Sequence, residues 1–261
     1  MTSALQIARS GLDALDQRMR TISNNLANVS TTGFKRDRAA FATLAYQDPR
    51  QAGAPSGADN QYATGLGTGT GVRVNGTERI HTQGALVQTD NALDVAIEGA
   101  GFFAVVMPDG GTAYTRDGSF KLNAQGEIVT TNGLRLLQGL TVPDGAQAIT
   151  IAPDGTVSAT LQGSATPVEV GQMLVSRFLN PAGLEPRGDN LYAETAGSGP
   201  AQAGVAGVEG AGSIRQGALE GSNVSTVQEL VDMIETQRAY EVNAKVIKAA
   251  DEMSQYVTQN V

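Results

Sequence analysis

The chain has 261 residues, with 26 acidic against 18 basic side chains, so its net charge is −8 at pH 7. It contains no cysteine and a single histidine, which excludes disulfides and thiolate metal sites and leaves little for histidine-based catalysis. The acidic balance argues against binding to a nucleic-acid backbone as its main task.

Glycine and proline divide the chain into three parts. Residues 1–45 contain two glycines and no proline, and residues 222–261 contain neither, whereas the middle holds the other 30 of 32 glycines and all nine prolines. Because both residue types are unfavourable in helix interiors, this distribution predicts a helix at each end and a turn-rich centre.

The N-terminal part carries a heptad-like apolar pattern. From Leu12 to Leu26 the apolar positions alternate between spacings of three and four residues. So narrow a stripe is typical of a coiled-coil seam, whereas a helix that lies on its own domain usually shows a wider one. The predicted seam positions are Leu5, Leu12, Leu15, Met19, Ile22 and Leu26.

The centre begins with a polar, glycine- and proline-rich segment at residues 47–71, which predicts a flexible linker. Residues 90–215 then show short alternating apolar runs, which predict strands. Asp117-Gly118 and Asn132-Gly133 separate such runs and predict type I′ hairpin turns. Residues 197–213 are rich in glycine, alanine and serine and are expected to form a loop.

A second heptad-like pattern occupies residues 222–261, where Ser225 and Gln228 can form a capping box. Its seam positions are Val227, Val231, Ile234, Val242, Val246 and Met253. The two patterned helices can pair with each other or with neighbouring copies, and periodicity does not separate these alternatives. We predict an α+β fold in which long N- and C-terminal helices form a coiled coil, with a central antiparallel β domain.

Several long motifs resemble those of bacterial flagellar rod and hook proteins. The N-terminal motif comprises Asn24, Asn25, Leu26, Ala27 and Asn28, followed by Gly33, Phe34, Lys35 and Arg36. The C-terminal motif, within residues 231–241, includes Gln237, Arg238, Ala239 and Tyr240. Residues 93–103 and 113–120 resemble the core of the same family. The resemblance covers nearly the whole chain, and residues 78–84 and 178–186 are most similar to members that build the distal rod.

The resemblance implies a domain organisation and a function. The implied segments are a coiled-coil helix at 1–32, a signature loop and linker at 33–71, a β-rich domain at 72–221 and a second coiled-coil helix at 222–261. A family member of this kind would self-assemble into a hollow, straight, rigid tube that crosses the periplasm, transmits torque and forms part of the export channel. A segment that includes Pro49, Arg50, Pro55 and Gly65 is expected to stiffen the rod.

The implied partners are further copies of the chain, other rod proteins, the hook protein, the surrounding basal-body rings and the type III export apparatus. The resemblance also implies export without a cleaved signal peptide, and the residues after Met1 lack the basic and apolar regions that such a peptide usually has. No catalytic residue, cofactor, metal, nucleic acid or small-molecule substrate is expected. The alternatives are a proximal rod or hook subunit, a wall-active hydrolase and a β-rich secreted binding module.

Overall fold

Two helices lie near the ends of the chain in a computed structural model that describes residues 2–50, 53–55, 61–163 and 166–259. Helix α1 spans Thr2–Ala27 and helix α2 spans Thr226–Gln259. Both occupy segments in which the heptad-like patterns predict helix. Within the described ranges, neither helix is long and apolar enough to cross a membrane.

Short strands fill most of the chain between the helices. The first ten are β1 (Asp37–Thr43), β2 (Gln47–Arg50), β3 (Leu66–Thr68), β4 (Val72–Arg79), β5 (Leu86–Gln88), β6 (Val95–Glu98), β7 (Phe102–Val106), β8 (Thr112–Thr115), β9 (Lys121–Leu122) and β10 (Ile128–Val129). The others are β11 (Ala146–Ile151), β12 (Thr156–Leu161), β13 (Val168–Gln172), β14 (Leu174–Arg177), β15 (Glu185–Gly188), β16 (Leu191–Ala193), β17 (Gln202–Val205), β18 (Ser213–Gln216) and β19 (Ala218–Glu220). A short 3₁₀ helix occupies Pro181–Gly183.

The chain folds into two compact units, each built from separate stretches. Unit 1 comprises Met1–Leu26, Asp37–Glu78 and Ser225–Val261, and unit 2 comprises Ala27–Arg36 and Arg79–Val224. The chain therefore passes between the units after Leu26, Arg36, Glu78 and Val224. Unit 1 contains the two helices and the strand pairs β1–β4 and β2–β3.

Unit 2 is built around an antiparallel six-stranded sheet in the order β15-β16-β8-β7-β14-β17. Strand β7 is central, and its consecutive residues Phe102, Phe103, Ala104 and Val105 are all buried. Phe103 and Val105 belong to one apolar cluster, and Phe102 and Ala104 belong to another. Both faces of the sheet are thus covered, which explains why this strand reads as a continuous apolar run.

The predicted coiled coil is wrong. A coiled coil requires the seam residues of both helices to face each other, but all six predicted seam residues of α2 are between 46% and 73% exposed. The side of α2 that meets α1 is polar: Glu229 contacts Asn25, and Asp232 lies 3.6 Å from Arg18. Apolar periodicity missed this face because it registers only apolar positions.

Turn chemistry also differs from expectation at the predicted hairpins. A type I′ turn needs positive φ at both central residues, and neither Asp117 nor Gly118 has it. At Asn132-Gly133, only Gly133 has positive φ, and its N–H donates to the Thr130 carbonyl, so a type I turn with a glycine bulge closes that hairpin. Successive positive φ values occur instead at Asp189 and Asn190, between β15 and β16.

Two segments expected to lack regular structure contain strands. Strand β17, within the predicted loop at 197–213, pairs with β14 at the edge of the large sheet. In the predicted linker, β2 pairs with β3, and Arg50 lies opposite Leu66. Local composition missed these strands because it reports the turn-forming residues between paired strands and not the pairing itself.

Candidate functional site: the buried cluster around Glu220 and the exposed face of α2

Glu220 is the centre of a buried ionic cluster in unit 2. Its carboxylate forms a salt bridge with Lys35, and both side chains are fully buried. The Lys35 ammonium also donates to the Thr82 carbonyl at 2.8 Å. The backbone N–H of Gly84 donates to Glu220 Oε1 at 2.9 Å. The lysine of the predicted signature motif is therefore an internal anchor.

Arg116, directly after strand β8, completes this cluster. Its Nη1 lies 3.3 Å from Glu220 Oε2 and donates to the Ile97 carbonyl at 3.2 Å, while Nη2 donates to the Gly99 carbonyl at 2.6 Å. One carboxylate thus serves two buried cations, and backbone carbonyls share the remaining positive charge. Burial lowers the pKa of Lys35 against the raising effect of Glu220, and burial likewise lowers the pKa of Arg116.

Gly33 brings the signature loop close to this cluster. Its φ of +69° lies in the left-handed region that favours glycine, and its N–H donates to the Glu220 carbonyl at 2.7 Å. A Cβ atom at this position would lie 2.8 Å from the backbone carbon of Arg116. Any residue with a Cβ atom is excluded at this position by both backbone conformation and space.

Asn223 links three chain segments of unit 2. Its Oδ1 accepts the N–H of Arg36 at 2.7 Å, and its Nδ2 donates to the carbonyls of Ile80 and Thr82 at 2.8 and 3.1 Å. The Ile80 N–H in turn donates to the Arg36 carbonyl at 2.8 Å. These bonds join the three stretches of unit 2 that adjoin its connections to unit 1.

A second buried polar group lies in unit 1. The Asn25 side chain is 1% exposed, and its Nδ2 donates to the Asp37 carbonyl at 2.9 Å and to Glu229 Oε2 at 3.3 Å. Its Oδ1 accepts the Asp37 N–H at 2.9 Å. Asn25 therefore links α1 to the start of β1 and to the first turn of α2.

The predicted seam residues are distributed unequally between buried and exposed surfaces. On α1, Ile22 is 5% exposed, and the half-buried ones are Leu5, Leu12, Leu15, Met19 and Leu26. On α2, the exposed ones are Val227, Val231, Ile234, Val242, Val246 and Met253. Leu230 extends the α2 group, and we call this set the α2 stripe. It is an unpartnered apolar surface within the described residues.

The predicted signature residues do not form one site. In unit 2, Gly33, Phe34 and Lys35 are buried, whereas Ala27 is exposed and Asn28 and Arg36 are half-buried. In unit 1, Asn25 is buried, Leu26 and Ala239 are half-buried, and the exposed members are Asn24, Gln237, Arg238 and Tyr240. Sequence reasoning missed Glu220, Arg116, Asn223 and Glu229, whose roles depend on partners distant in sequence.

The predicted stiffening residues lie in and near the β2–β3 pair of unit 1. The Arg50 guanidinium lies 4.0 Å from the centroid of the Tyr62 ring, and Pro55 forms an isolated bridge with Gln61. Gly65 is exposed beside β3. Pro49 belongs to β2, but its side chain, like residues 51–52 and 56–60 of this segment, lies outside the described part of the structure.

The chemistry of these sites is that of structural contact. Most polar atoms around Glu220 are occupied by the hydrogen bonds given above, whereas Arg116 Nε is buried without a hydrogen-bond partner among the described residues. Across the described ranges, no group of three or more histidine, cysteine, aspartate or glutamate side chains is placed to hold a metal ion. The cluster holds segments together, whereas the α2 stripe presents apolar surface on the outside of the helix.

Comparison with family models matches three parts of the chain. Residues 5–35 match the flagella basal body rod protein model, residues 96–159 match the flagellar hook protein FlgE/F/G D1 domain, and residues 215–260 match the flagellar basal body rod FlgEFG protein C-terminal model. The buried Lys35 and the α2 stripe lie within matched regions.

Curated relatives match over almost their whole length. The chain is 49% identical to the flagellar basal-body rod protein FlgG of Buchnera aphidicola subsp. Acyrthosiphon pisum, over 99% of this chain and 100% of that protein. It is 47% identical to FlgG of Borreliella burgdorferi, over 97% of this chain and 96% of that one. Identity to the rod protein FlgF of Caulobacter vibrioides is lower, at 33% over 100% and 98% of the two chains.

Proposed function

This chain belongs to the family of flagellar basal-body rod proteins and is a structural subunit of the flagellar distal rod, and we propose that it self-assembles into a hollow, straight, rigid helical tube. The tube transmits torque from the motor to the hook, and its lumen forms part of the export channel. Head-to-tail contacts that do not close into a ring produce such an open helical polymer.

The observation that carries this proposal is the α2 stripe. Its members recur along one side of the helix from Val227 to Met253, a distance of about 39 Å at 1.5 Å per residue. Soluble proteins rarely leave so long an apolar surface without a partner, and such surfaces mark interaction sites. We assign this surface to contact with neighbouring copies of the chain.

The half-buried seam residues of α1 supply the remaining apolar surface of unit 1 for this assembly. The β2–β3 pair gives the segment around Arg50 and Tyr62 a local structure, and in this proposal it contacts neighbouring subunits and limits bending. Tyrosine and arginine are enriched among the residues that dominate binding energy at protein interfaces, and Tyr46 is 63% exposed beside the same pair.

The proposed partners beyond the chain itself are other rod proteins, the hook protein, the surrounding ring proteins and the type III export apparatus. Membership of the family places the chain in the flagellar basal body. Passage across the periplasm, and export without a cleaved signal peptide, belong to the proposal.

The test is polymerisation of purified full-length chain, followed by sedimentation and electron microscopy. Ile234→Asp and Val242→Asp each place a charge in the stripe and should raise the concentration needed for polymerisation at least about tenfold, which corresponds to a loss of about 1.4 kcal/mol per contact. Ala244→Asp is the matched control, because it adds the same charge to an exposed position of α2 outside the stripe. Normal polymers from the two stripe variants would refute the assignment of this surface.

A further inference from the structure

Unit 1 contains an open groove between its two helices, which we call the helix groove. Its volume is about 530 Å³, within the roughly 300–1,000 Å³ of pockets that bind ligands. Its lining includes Ile7, Ala8 and Gly11 of α1, Val72 of β4, and Asn243 and Val246 of α2. Asn243 has the one polar side chain among these six, so the groove offers a surface that suits apolar side chains.

Three elements hold the helix groove in shape. A Cβ atom at Gly11 would lie 3.3 Å from Asn243 Nδ2, so α1 and α2 approach each other closely at this glycine. The Ser10 hydroxyl accepts the Val72 N–H at 3.2 Å and donates to the Ile7 carbonyl at 2.8 Å, which attaches the start of β4 to α1. The groove is therefore formed before anything binds to it, and binding there requires little ordering of the chain.

The first part of the α2 stripe has the residue spacing that fits such a groove. Four of its side chains stand at positions i, i+3, i+4 and i+7, are between 44% and 73% exposed, and form what we call the anchor set: Val227, Leu230, Val231 and Ile234. An amphipathic helix that inserts into an apolar groove uses this spacing. The three later stripe residues do not repeat it, and one of them, Val246, belongs to the groove wall itself.

The symmetry of an open polymer decides between two partners for the anchor set. Contact of the α2 stripe with the same stripe on a second copy would be two-fold symmetric and would close after two copies. Contact between the anchor set and the helix groove is heterologous and can repeat without closing. Leu230 and Val246 are about 24 Å apart along α2 at 1.5 Å per residue, so one copy can offer both surfaces at once.

We infer that the anchor set of one copy inserts into the helix groove of a second copy, an inference that rests on the proposed self-assembly. The polar side of the inserted helix keeps its contacts with α1 of its own copy through Glu229 and Asp232. Val246 of the second copy, which is 51% exposed, is covered from outside. The same contact therefore removes both parts of the α2 stripe from water, one as inserted helix and the other as groove wall.

Disulfide trapping tests this pairing in the assembled state, because the chain contains no cysteine of its own. Chains with Ile7→Cys are polymerised with an equal amount of chains that carry a cysteine at one anchor position, in four separate mixtures. At least one mixture should yield covalent dimers under mild oxidation, since a disulfide forms only where the Cα atoms approach within about 7 Å.

Ser23→Cys is the matched control for Ile7→Cys, because it lies at an exposed position of α1 outside the groove. In the mixture that cross-links best, it should yield at least about tenfold fewer dimers, since its Cα atom is not held near the anchor set. Normal polymers in which no anchor variant cross-links with Ile7→Cys would overturn the inference. Dimers from an anchor variant polymerised alone would also overturn it, because they would indicate contact of stripe with stripe.

Filling of the groove provides a second test. Ala8→Phe places a ring in the groove and should raise the concentration needed for polymerisation about tenfold or more, while the circular dichroism signal of the helices is unchanged. Ala244→Phe is the control, because it adds the same ring to an exposed position of α2 outside the stripe and the groove.

Polymerisation of a folded Ala8→Phe chain at the wild-type concentration would overturn the inference. If this variant loses its helix signal, the cysteine mixtures decide the matter, because their substitutions are small. Failure of the wild-type chain to polymerise would instead count against the proposed function.

Discussion

Lys35 and Glu220 lie 185 residues apart in sequence and form a salt bridge in which both side chains are fully buried. Removal of one partner from such a pair leaves a buried charge without compensation, which is far more costly than the loss of a surface pair. The bond joins the signature loop to the last strand of unit 2, so its strength bears on the integrity of the whole unit.

Glu220→Gln should therefore strongly destabilise unit 2. Lys35 and Arg116 would both lose their counter-charge, and we expect a loss of about 3–5 kcal/mol in the free energy of unfolding. The measurement is urea denaturation followed by circular dichroism. Glu127→Gln provides the control, because that carboxylate pairs with Arg135 at the surface and its removal should change stability little. Equal denaturation midpoints for the two variants would contradict the role of Glu220.

Lys35 should make stability rise with pH in the alkaline range. Burial lowers its pKa in the folded chain below the ordinary 10.5, so between those two pKa values the unfolded chain binds more protons. The free energy of unfolding then increases as the pH rises through that window. Tyr114 has the opposite effect above about pH 10.0, because burial raises its pKa. The comparison should therefore stop at about pH 10.

The measurement is the pH dependence of unfolding free energy in wild type and in Lys35→Met, which removes the titrating group and keeps an unbranched side chain. The wild-type curve should rise more steeply toward pH 10 than that of the variant. Parallel curves would show that the folded pKa of Lys35 is not lowered.

Asn223→Ala should weaken the junction of the three segments that this side chain joins. It removes the side-chain partner of the Arg36 N–H and of the Ile80 carbonyl, both in half-buried residues, so we expect a loss below the roughly 1–3 kcal/mol that a fully buried unsatisfied group costs. Hydrogen exchange at the Arg36 amide should accelerate more than exchange in the central strand β7. Asn132→Ala is the control, since this exposed side chain forms no hydrogen bond among the described residues. Equal protection of Arg36 in both variants would refute the prediction.

Shortening the segment between β2 and β3 should soften the rod while polymerisation continues. Replacement of residues 53–64 by two glycines removes Tyr62 and its contact with Arg50 but keeps both strands. Because the apolar surface of α2 is untouched, we expect polymers that bend more, measured as curvature in electron micrographs. Straight polymers would argue against a stiffening role, whereas loss of polymers would show that the segment is needed for assembly itself.

The two helices could be predicted from sequence because their positions follow from local patterns. Leu12 to Leu26 repeat with helical spacing, and no proline interrupts either end. Which faces would meet could not be predicted. The contact between Asn25 and Glu229 is polar and joins residues 204 positions apart, so no local periodicity reports it.

In the central β region, too, the sequence predicted the positions of some turns but not their conformations or the long-range contacts. Turn-forming dipeptides located the hairpin at Gly133, but the conformation adopted there depends on how neighbouring strands pair. Asp189-Asn190 escaped notice because neither residue is glycine, although both adopt the left-handed conformation. Glu220 carries no local signal at all. Its neighbours in sequence are small or apolar, and its role depends on Lys35 and Arg116, which only the fold brings close.

The interleaved course of the chain between its two units dictates an order of folding events. A chain delivered from its N-terminus presents the 27–36 stretch early, but the strand that carries Glu220 only after some 185 further residues. Until that strand arrives, burial of Lys35 would leave its charge uncompensated, so the loop should remain in water. Contacts of such long sequence separation also form slowly. Unit 2 is thus kept from closing early, because its first loop is not stabilised until the strand that carries Glu220 has been delivered.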